Sequence, residues 1–418
     1  MTLAHKLLLT LLLSVILLFS VNPSKSTTTY GSTLFLANMQ PIEQISSKAI
    51  SFELYDGIIY LPVQINDSAP LPFILDTGAS VTVINRKIVD NLKLAFSTLK
   101  PSNVTGSGGS SVTTTFLNKI KLNISDKELM VEYPVAIDLN SLSQFKGDIV
   151  YGILGAEVFF RYVVEIDYAS KTIVLYDPKN YVYKGSGEKL PLKFSQNTPN
   201  LSFVQATIEI PGLKPAKGTF AIDTGSNNAL DLLAPFIDKY KLLTTKQKLS
   251  ESLTIGVDGE SKRFRGFGQN IQLGNFNIAR PIVSFDQPST KTESQYDGRI
   301  GNAILKRFKV IFDYSHKQMI LEKGADFDKP FEVNMSGIGF VAEGDNFKKL
   351  KIVDVKQEAS ETGLKVGDEI ISIDNKPSTD FSPHQVRQMF TKEGQEYLLK
   401  IRRGEEVLEV KLKMKPPF

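Results

Sequence analysis

Residues 73–80 read Phe-Ile-Leu-Asp-Thr-Gly-Ala-Ser, and residues 220–227 read Phe-Ala-Ile-Asp-Thr-Gly-Ser-Asn. In each stretch the apolar run predicts a buried strand that ends at an aspartate, Asp76 or Asp223. A carboxylate beside a buried strand is costly unless hydrogen bonds or chemistry compensate for its burial. Two such carboxylates in matching contexts can face each other and share one proton, so that identical residues serve as acid and base. The two aspartates are therefore the candidate catalytic centre.

The two stretches belong to a long internal repeat. Residues 152–155 read Gly-Ile-Leu-Gly, and residues 298–301 read Gly-Arg-Ile-Gly. The tetrapeptide begins 76 residues after Asp76 in the first copy and 75 residues after Asp223 in the second. A single Asp-Thr-Gly is more often a plain turn than a site, but coincidence does not explain this register. The spacing predicts two half-domains of one ancestry, and their β-branched and aromatic runs predict strands.

This arrangement resembles the aspartic proteases. The resemblance implies a mainly β, bilobal aspartic-protease (acid protease) β-barrel fold, in which Asp76 and Asp223 activate a water that attacks a peptide bond. It implies neither a cofactor nor a metal. Four neighbouring residues are expected to support the two loops, the glycines by permitting a sharp turn and the threonines by bonding across to the opposite loop: Thr77, Gly78, Thr224 and Gly225.

Glycine-rich hairpins follow both aspartates and are expected to form flaps over the cleft. The flap candidates are Gly106, Gly108 and Gly109 in the first copy and Gly256 and Gly259 in the second. Pepsin-like enzymes carry one flap with a tyrosine near its tip, and neither hairpin has one there; two Gly-rich flaps resemble the viral-type dimers more. Arg299 also stands where the family usually has an apolar residue. These departures leave the pH optimum and the specificity open.

The last 90 residues resemble a PDZ domain, a small α+β fold. Residues 336–340 read Ser-Gly-Ile-Gly-Phe, and residues 363–368 read Gly-Leu-Lys-Val-Gly-Asp, a pattern that joins a short helix to a tight turn before a strand. The resemblance implies a peptide added to a strand, with its C-terminal carboxylate held by backbone amides. Ser382, near the start of a helix predicted from Pro383, is expected to face the ligand's second-from-last residue. The expected carboxylate loop is Gly337, Ile338, Gly339 and Phe340.

The N-terminus indicates a targeting segment, because residues 7–21 are an unbroken run of apolar and small residues after His5 and Lys6. A run of 15 residues is short for a membrane span and favours a secretory signal, with an uncleaved membrane anchor as the alternative. The predicted organisation is a signal peptide at 1–26, a first lobe at 27–185, a second lobe at 186–328 and the PDZ domain at 329–418.

Composition excludes several classes of function. The formal net charge of +4 comes from interspersed charges without a basic stripe, so no nucleic-acid partner is expected. The three histidines lie outside the apolar strands, which excludes a Ser-His-Asp triad and a histidine-rich zinc site. The chain contains no cysteine, which for an exported protein of this size suggests the bacterial periplasm or cell envelope.

The sequence thus predicts an exported aspartic endopeptidase that acts on polypeptides and carries a PDZ domain for a C-terminal peptide or partner. Two alternatives remain open. One is a peptide-binding scaffold that does not cut its ligand. The other is a self-processing or regulatory protease whose PDZ domain recruits a partner rather than the substrate.

Overall fold

The computed structural model describes residues 48–105, 111–195, 200–244, 247–257, 259–287 and 295–418. The predicted signal peptide at 1–26 and the flap candidates Gly106, Gly108 and Gly109 lie outside the described residues. Within those ranges the chain is mostly strand, as predicted. No helix in the described ranges has the length and apolar character needed to cross a membrane.

The first half of the chain forms one large sheet and contributes three further strands to another sheet. Its elements are β1 (Ile50–Ser51), β2 (Glu53–Tyr55), β3 (Ile58–Ile65), β4 (Leu71–Leu75), β5 (Val83–Asn85), β6 (Ser102–Thr105), β7 (Ser111–Phe116), β8 (Ile120–Ile124), β9 (Lys127–Val131), β10 (Val135–Ile137), α1 (Asn140–Lys146), β11 (Gly152–Leu154), α2 (Ala156–Arg161), β12 (Val163–Asp167) and β13 (Thr172–Tyr176). The sheet order is β6-β7-β10-β5-β11-β4-β3-β8-β9, with β2 on β3. Since β4 pairs in parallel with β11 and is buried towards its C-terminal end, its sequence is an apolar run rather than an alternation.

The second half repeats this topology. Its elements are β14 (Glu188–Pro191), β15 (Lys193–Phe194), β16 (Ser202–Glu209), β17 (Ala216–Asp223), β18 (Leu230–Leu232), α3 (Ala234–Tyr240), β19 (Ser250–Gly256), β20 (Gly259–Phe267), β21 (Asn270–Leu273), β22 (Phe276–Ala279), β23 (Ile282–Phe285), β24 (Gly298–Gly301), α4 (Asn302–Leu305), β25 (Phe308–Asp313) and β26 (Gln318–Lys323). The sheet order is β19-β20-β23-β18-β24-β17-β16-β21-β22, with β15 on β16. Each strand therefore has a counterpart at the same place in the first sheet.

A third sheet ties the two halves together in the order β1-β13-β12-β25-β26-β14. At its centre β12 and β25 pair antiparallel, with Val164 opposite Phe312. The apolar core continues across this junction, where the rings of Phe159 and Phe312 meet edge to face at 5.3 Å. The two large sheets are thus held in one fixed relation by shared strands and a shared core.

The C-terminal part folds around a core of its own. Its elements are β27 (Ile338–Glu343), β28 (Lys349–Val355), α5 (Gln357–Ser360), β29 (Glu369–Ile373), β30 (Lys376–Pro377), α6 (Pro383–Met389), β31 (Glu396–Arg403) and β32 (Glu406–Lys413). The sheet order is β27-β28-β29-β31-β32, with β30 on β29, so that β27 is an edge strand. Ser382 caps α6, because its side chain accepts a hydrogen bond from the Gln385 N–H at 3.2 Å.

Helix α1 of the first half packs against β27 and α6. Gly147, which ends α1 with φ of +81°, lies so close to Pro383 of α6 that a side chain would collide with it. The Arg387 guanidinium donates to the Phe145 carbonyl at 2.7 Å and lies 3.9 Å from the centre of the Phe145 ring. Since a PDZ ligand is expected to lie between β27 and α6, α1 covers the place of that ligand in this structure.

Asp56 anchors this contact. It accepts from His384 Nδ1 at 2.6 Å and from Arg387 Nη1 at 2.5 Å, and the Tyr55 hydroxyl accepts from the His384 N–H at 2.8 Å. Burial alone raises the pKa of Asp56, but the hydrogen bond from His384 and the charge of Arg387 outweigh burial and hold the pKa below its ordinary value. The contact therefore favours the ionised form of the Asp56 carboxylate.

We expect Asp56→Asn to weaken the contact by about 3 kcal/mol, because it leaves the partly buried Arg387 without its counter-charge. With a lowered pKa in the folded state, the contribution of Asp56 is present above about pH 4 and is lost as the pH falls through its folded pKa. Hydrogen exchange of the α1 and α6 amides measures this. The variant should exchange faster than the wild type at neutral pH and equally fast in strong acid, whereas the exposed Asp67→Asn should change nothing. Equal protection at neutral pH would contradict the role of Asp56.

Candidate active site

The two Asp-Thr-Gly loops lie at the same place in the two large sheets. Asp76 directly follows β4, and Asp223 ends β17. The strand from the Gly-Ile-Leu-Gly tetrapeptide, β11, pairs in parallel with β4. In the same way the strand of Gly-Arg-Ile-Gly, β24, pairs in parallel with β17. The Asp76 N–H donates to the Leu154 carbonyl of β11 at 3.0 Å. Both aspartates thus leave their strands at a fixed position.

Thr77 and Thr224 bind the two loops to each other. The Thr77 N–H donates to Thr224 Oγ1 at 2.9 Å, and the Thr224 N–H donates to Thr77 Oγ1 at 3.0 Å. Each hydroxyl in turn donates across the junction, Thr77 to the Ile222 carbonyl at 2.7 Å and Thr224 to the Leu75 carbonyl at 2.8 Å. Both threonines are fully buried. This reciprocal set of four hydrogen bonds fixes the distance between the loops.

The loops place the Asp76 and Asp223 carboxyl groups beside each other, since the carboxyl group of the facing loop fills the space next to each loop glycine. The Gly78 N–H donates to Asp76 Oδ1 at 2.6 Å, and the Gly225 N–H donates to Asp223 Oδ1 at 3.1 Å. A Cβ at Gly78 would lie 2.8 Å from Asp223 Oδ1, and one at Gly225 would lie closer still to Asp76. Both positions therefore require glycine, because any side chain would displace the facing carboxyl group.

The two carboxyl groups differ in their surroundings. Burial and the facing charge of Asp223 raise the pKa of Asp76 well above its ordinary value. Burial also raises the pKa of Asp223, but the charge of Arg299 opposes this, with its Nε 3.9 Å from Asp223 Oδ2. The pair is therefore asymmetric, with the shared proton on Asp76 and the negative charge on Asp223.

This asymmetry predicts a pH dependence of stability. The folded pair binds protons more tightly than the unfolded chain, so the free energy of unfolding should fall as the pH rises from about 4 through the raised pKa of Asp76. Asp76→Asn removes the raised group and should flatten this decline. Denaturant midpoints of both proteins between pH 3 and 7 measure it. If the two curves stay parallel over this range, Asp76 does not have the raised pKa.

Both aspartates open into a cavity of about 890 Å³. The hairpin of β19 and β20 extends over it, with Gly256 and Gly259 paired at its end and Gly259 at φ of +102°. Val257 at its tip packs against apolar residues of the first half, so this hairpin crosses the cleft. The other hairpin, β6 and β7, is formed, but its tip with three flap candidates lies outside the described residues.

The predicted carboxylate loop of the C-terminal part lines this same cavity. Gly337, Ile338, Gly339 and Phe340 all contribute to its wall. The Ile338 N–H donates to Ser336 Oγ at 3.2 Å, and Gly337 takes φ of +69°. Ser382 lies apart from the wall, as the cap of α6. The sequence placed the two sites in separate domains and gave no sign that they share one cleft.

Sequence reasoning also missed charged residues in the cleft wall of the second half. Arg263 forms a buried ion pair with Asp286 at 2.9 Å, and Arg265 donates to Asn228 Oδ1 at 2.5 Å. A signal was present, since two arginines two residues apart in a strand point to the same face. Only Arg299 stood out in the sequence. Among the described residues, no group of three or more metal-ligating side chains is placed to hold a metal ion.

Two protein-family models match parts of this chain. Residues 61–158 match the protein-family model described as aspartyl protease, and residues 335–414 match the model of the PDZ domain. No curated protein sequence matches. A similar solved structure, an aspartic proteinase from Irpex lacteus, is 12% identical with a TM-score of 0.42, and the match covers 68% of this chain and 99% of that one. The resemblance to an aspartic protease joined to a PDZ domain, stated from the sequence, is confirmed by the two family matches.

Proposed function

We propose that this protein is an aspartic endopeptidase that hydrolyses peptide bonds with Asp76, Asp223 and an activated water. The observation that carries the proposal is the set of reciprocal hydrogen bonds between Thr77 and Thr224, which holds the carboxyl groups of the two loops beside each other. A buried pair of this kind costs stability, and it is retained where one proton shared by two carboxyl groups is put to use.

The asymmetry of the pair assigns the roles. The ionised Asp223 takes a proton from the water while the water oxygen bonds to the peptide carbonyl carbon, and Asp76 gives its proton to the carbonyl oxygen. The resulting diol then collapses. One hydroxyl returns a proton to Asp76, the C–N bond breaks, and Asp223 passes its proton to the departing nitrogen. The pair ends in its starting state, with the proton on Asp76, and no covalent bond to the enzyme forms.

Substrate must pass the hairpin of β19 and β20, whose tip spans the cleft. We propose that this hairpin opens to admit a polypeptide and closes to exclude water, with Gly256 and Gly259 allowing the movement. Val257 is the contact that opening would break. The hairpin of β6 and β7 is proposed as the matching flap on the first half.

We further propose that the protein is exported, to a bacterial periplasm or cell envelope. The apolar N-terminal run and the absence of cysteine support this. Fractionation of producing cells, with mass spectrometry of the mature N-terminus, distinguishes a cleaved signal from a retained anchor. Recovery of full-length protein in the cytoplasm would contradict export.

The cover over the PDZ ligand groove favours a second candidate, a regulated protease. Helix α1 lies against β27 and α6, and Arg387 of α6 links the Phe145 carbonyl of α1 to Asp56. A C-terminal peptide that binds between β27 and α6 has to displace α1, which also contacts β19 of the hairpin over the cleft. In such a regulated protease the PDZ ligand is an activator rather than the substrate.

A cleavage assay on an unfolded protein tests the proposed function. The full chain should cut it, a statine-type inhibitor that mimics the diol should stop the reaction, and Asp76→Asn should be inactive. If the substrate binds but is never cut at any pH between 3 and 8, the peptide-binding scaffold is correct instead. An excess of C-terminal peptides that raises the rate would support the regulated form.

A further inference from the structure

The two walls of the cleft occupy equivalent positions in the two large sheets but differ in chemistry. Strand pairing gives the equivalence. In the first half Ile153 pairs with Val83, which pairs with Val135, which pairs with Phe116. In the second half the corresponding chain of pairs is Arg299, Asp231, Ser284 and Arg265.

At every step of that path, an apolar side chain in the first half corresponds to a polar or charged side chain in the second half. Ile153, Val83, Phe116 and Val135 all line the cavity and belong to one apolar cluster. Opposite them, Arg299, Asp231 and Arg265 line the cavity on the other side. The strand that leads to the aspartate also differs between the halves, since Ile153 pairs with Ile74 of β4 but Arg299 pairs with the small Ala221 of β17. Along this path of paired residues, the wall of the first half is therefore apolar and the wall of the second half is polar or charged.

Most of these charges are compensated within the wall. Asn228 accepts from Arg265 and donates to Asp231 at 2.9 Å, which links the two charges. Arg265 Nε also donates to Ser284 Oγ at 3.2 Å. Arg265 and Asp231 thus form a preorganised polar group with little capacity left for a ligand.

Arg299 is different. Its Nη2 donates to the Tyr296 hydroxyl at 3.1 Å, and its Nε lies 3.9 Å from Asp223 Oδ2, beyond hydrogen-bond distance. Its Nη1 is buried and has no hydrogen-bond partner among the residues that the structure describes. A buried donor without an acceptor is unfavourable, and a guanidinium is suited to pairing with a planar carboxylate.

We propose that Arg299 binds a substrate carboxylate beside the scissile bond, while the apolar wall of the first half receives a large apolar side chain on the other side of that bond. The position of Arg299 next to Asp223 places the bound carboxylate at the reacting centre. The inference rests on the proposed function and narrows its substrate class to peptides with an apolar residue on one side of the cut and an acidic residue on the other.

Matched peptides test the proposal at pH 6, where a glutamate side chain is ionised. Each peptide carries Glu, Gln or Leu at one of the two positions that flank the cut, with the rest held constant, and kcat/KM is measured for the full chain. We expect Glu to be preferred over Gln by about tenfold or more at one of these positions, because a site built for a polar group rejects the analogue that lacks it.

Arg299→Ile, which reproduces Ile153 of the first half, should abolish this preference. Arg299→Gln should also abolish it, and serves if the isoleucine variant does not fold. The exposed Arg86→Gln, which removes a charge that is not part of the cavity lining, should keep the preference. If Arg299 acts only on the pKa of Asp223, the wild type shows no preference for Glu. Removal of Arg299 then raises the pKa of Asp223 and shifts the acidic limb of the pH profile upward. That result would overturn the proposal, as would a preference that survives in Arg299→Gln.

Calorimetry with the Asp76→Asn chain separates this inference from the proposed function. If no peptide is cut but the Glu peptide binds this variant about tenfold more tightly than the Gln peptide, the protease function fails and the acidic subsite stands. If peptides are cut with no difference between Glu and Gln, the subsite is wrong and the protease stands. Absence of both cleavage and preferential binding would reject both.

Discussion

Asp76→Asn and Asp223→Asn should each lower kcat/KM for a cleaved peptide by at least about 10³-fold while the chain stays folded. Asparagine has nearly the same shape as aspartate and still accepts the hydrogen bond from the loop glycine, so the fold does not depend on the lost charge. The reaction does depend on it, because one group must be ionised and the other protonated. The double variant should be no less active than either single variant, since the pair works as one unit.

The control for these variants is Asp90→Asn, an aspartate whose side chain is 83% exposed. It should have normal activity. Circular dichroism and denaturant midpoints establish that all four proteins are folded. If either single dyad variant retains turnover within about tenfold of the wild type, the dyad assignment is wrong.

The second large effect is expected at Thr224. Thr224→Val leaves the Thr77 N–H without an acceptor and the Leu75 carbonyl without a donor, both at a fully buried site. Each unsatisfied group costs about 1–3 kcal/mol, so the free energy of unfolding should fall by about 2–6 kcal/mol. Activity should fall further than stability alone explains, because the same hydrogen bonds set the separation of the carboxyl groups.

Thr224→Ser is the matched control, because it keeps the hydroxyl and loses only a methyl group. It should retain most of the activity and lose no more than about 1 kcal/mol of stability. Urea unfolding gives the stability difference, and kcat at saturating peptide gives the catalytic one. A valine variant as stable and as active as the serine variant would show that the hydrogen bonds across the loops do not position the pair.

The dyad and its supporting threonines could be predicted because their pattern is local. Each lies within a tripeptide that directly follows an apolar run, and the fixed spacing to Gly-x-x-Gly implied that the two loops occur in equivalent settings. The two sheets also agree with each other strand for strand, as expected of two half-domains with the same spacing. Local motifs repeated at constant register are what a single sequence shows best.

The contact between the two parts of the chain could not be predicted in this way. Asp56 and Arg387 are 331 positions apart, and neither residue belongs to a motif. Surface aspartates and arginines are common, and which of them meet depends on how two separately formed cores pack. The cover that α1 places over β27 and the sharing of one cleft by the dyad and Gly337–Phe340 therefore emerge only from the structure.

The charged wall of the second half could be predicted only in part. Arg299 was visible in the sequence as a departure, but its relation to Arg265 and Asp231 depends on the register of four neighbouring strands. An inserted residue between Asp223 and Asp231, compared with the first copy, shifts the simple alignment of the halves. Strand pairing removes that ambiguity and shows which apolar residue each charged one replaces.

The most direct test of the account is a titration of the two carboxyl groups. Carbon-13 NMR of a chain labelled at the aspartate carboxyl carbons, compared with Asp76→Asn and Asp223→Asn to assign the signals, reports the protonation of each group. We expect Asp223 to lose its proton first, the pair then to hold one proton, and the signal of Asp76 to titrate well above the ordinary aspartate range. If both signals titrate together near pH 4, the two groups do not share a proton and the proposed mechanism is wrong.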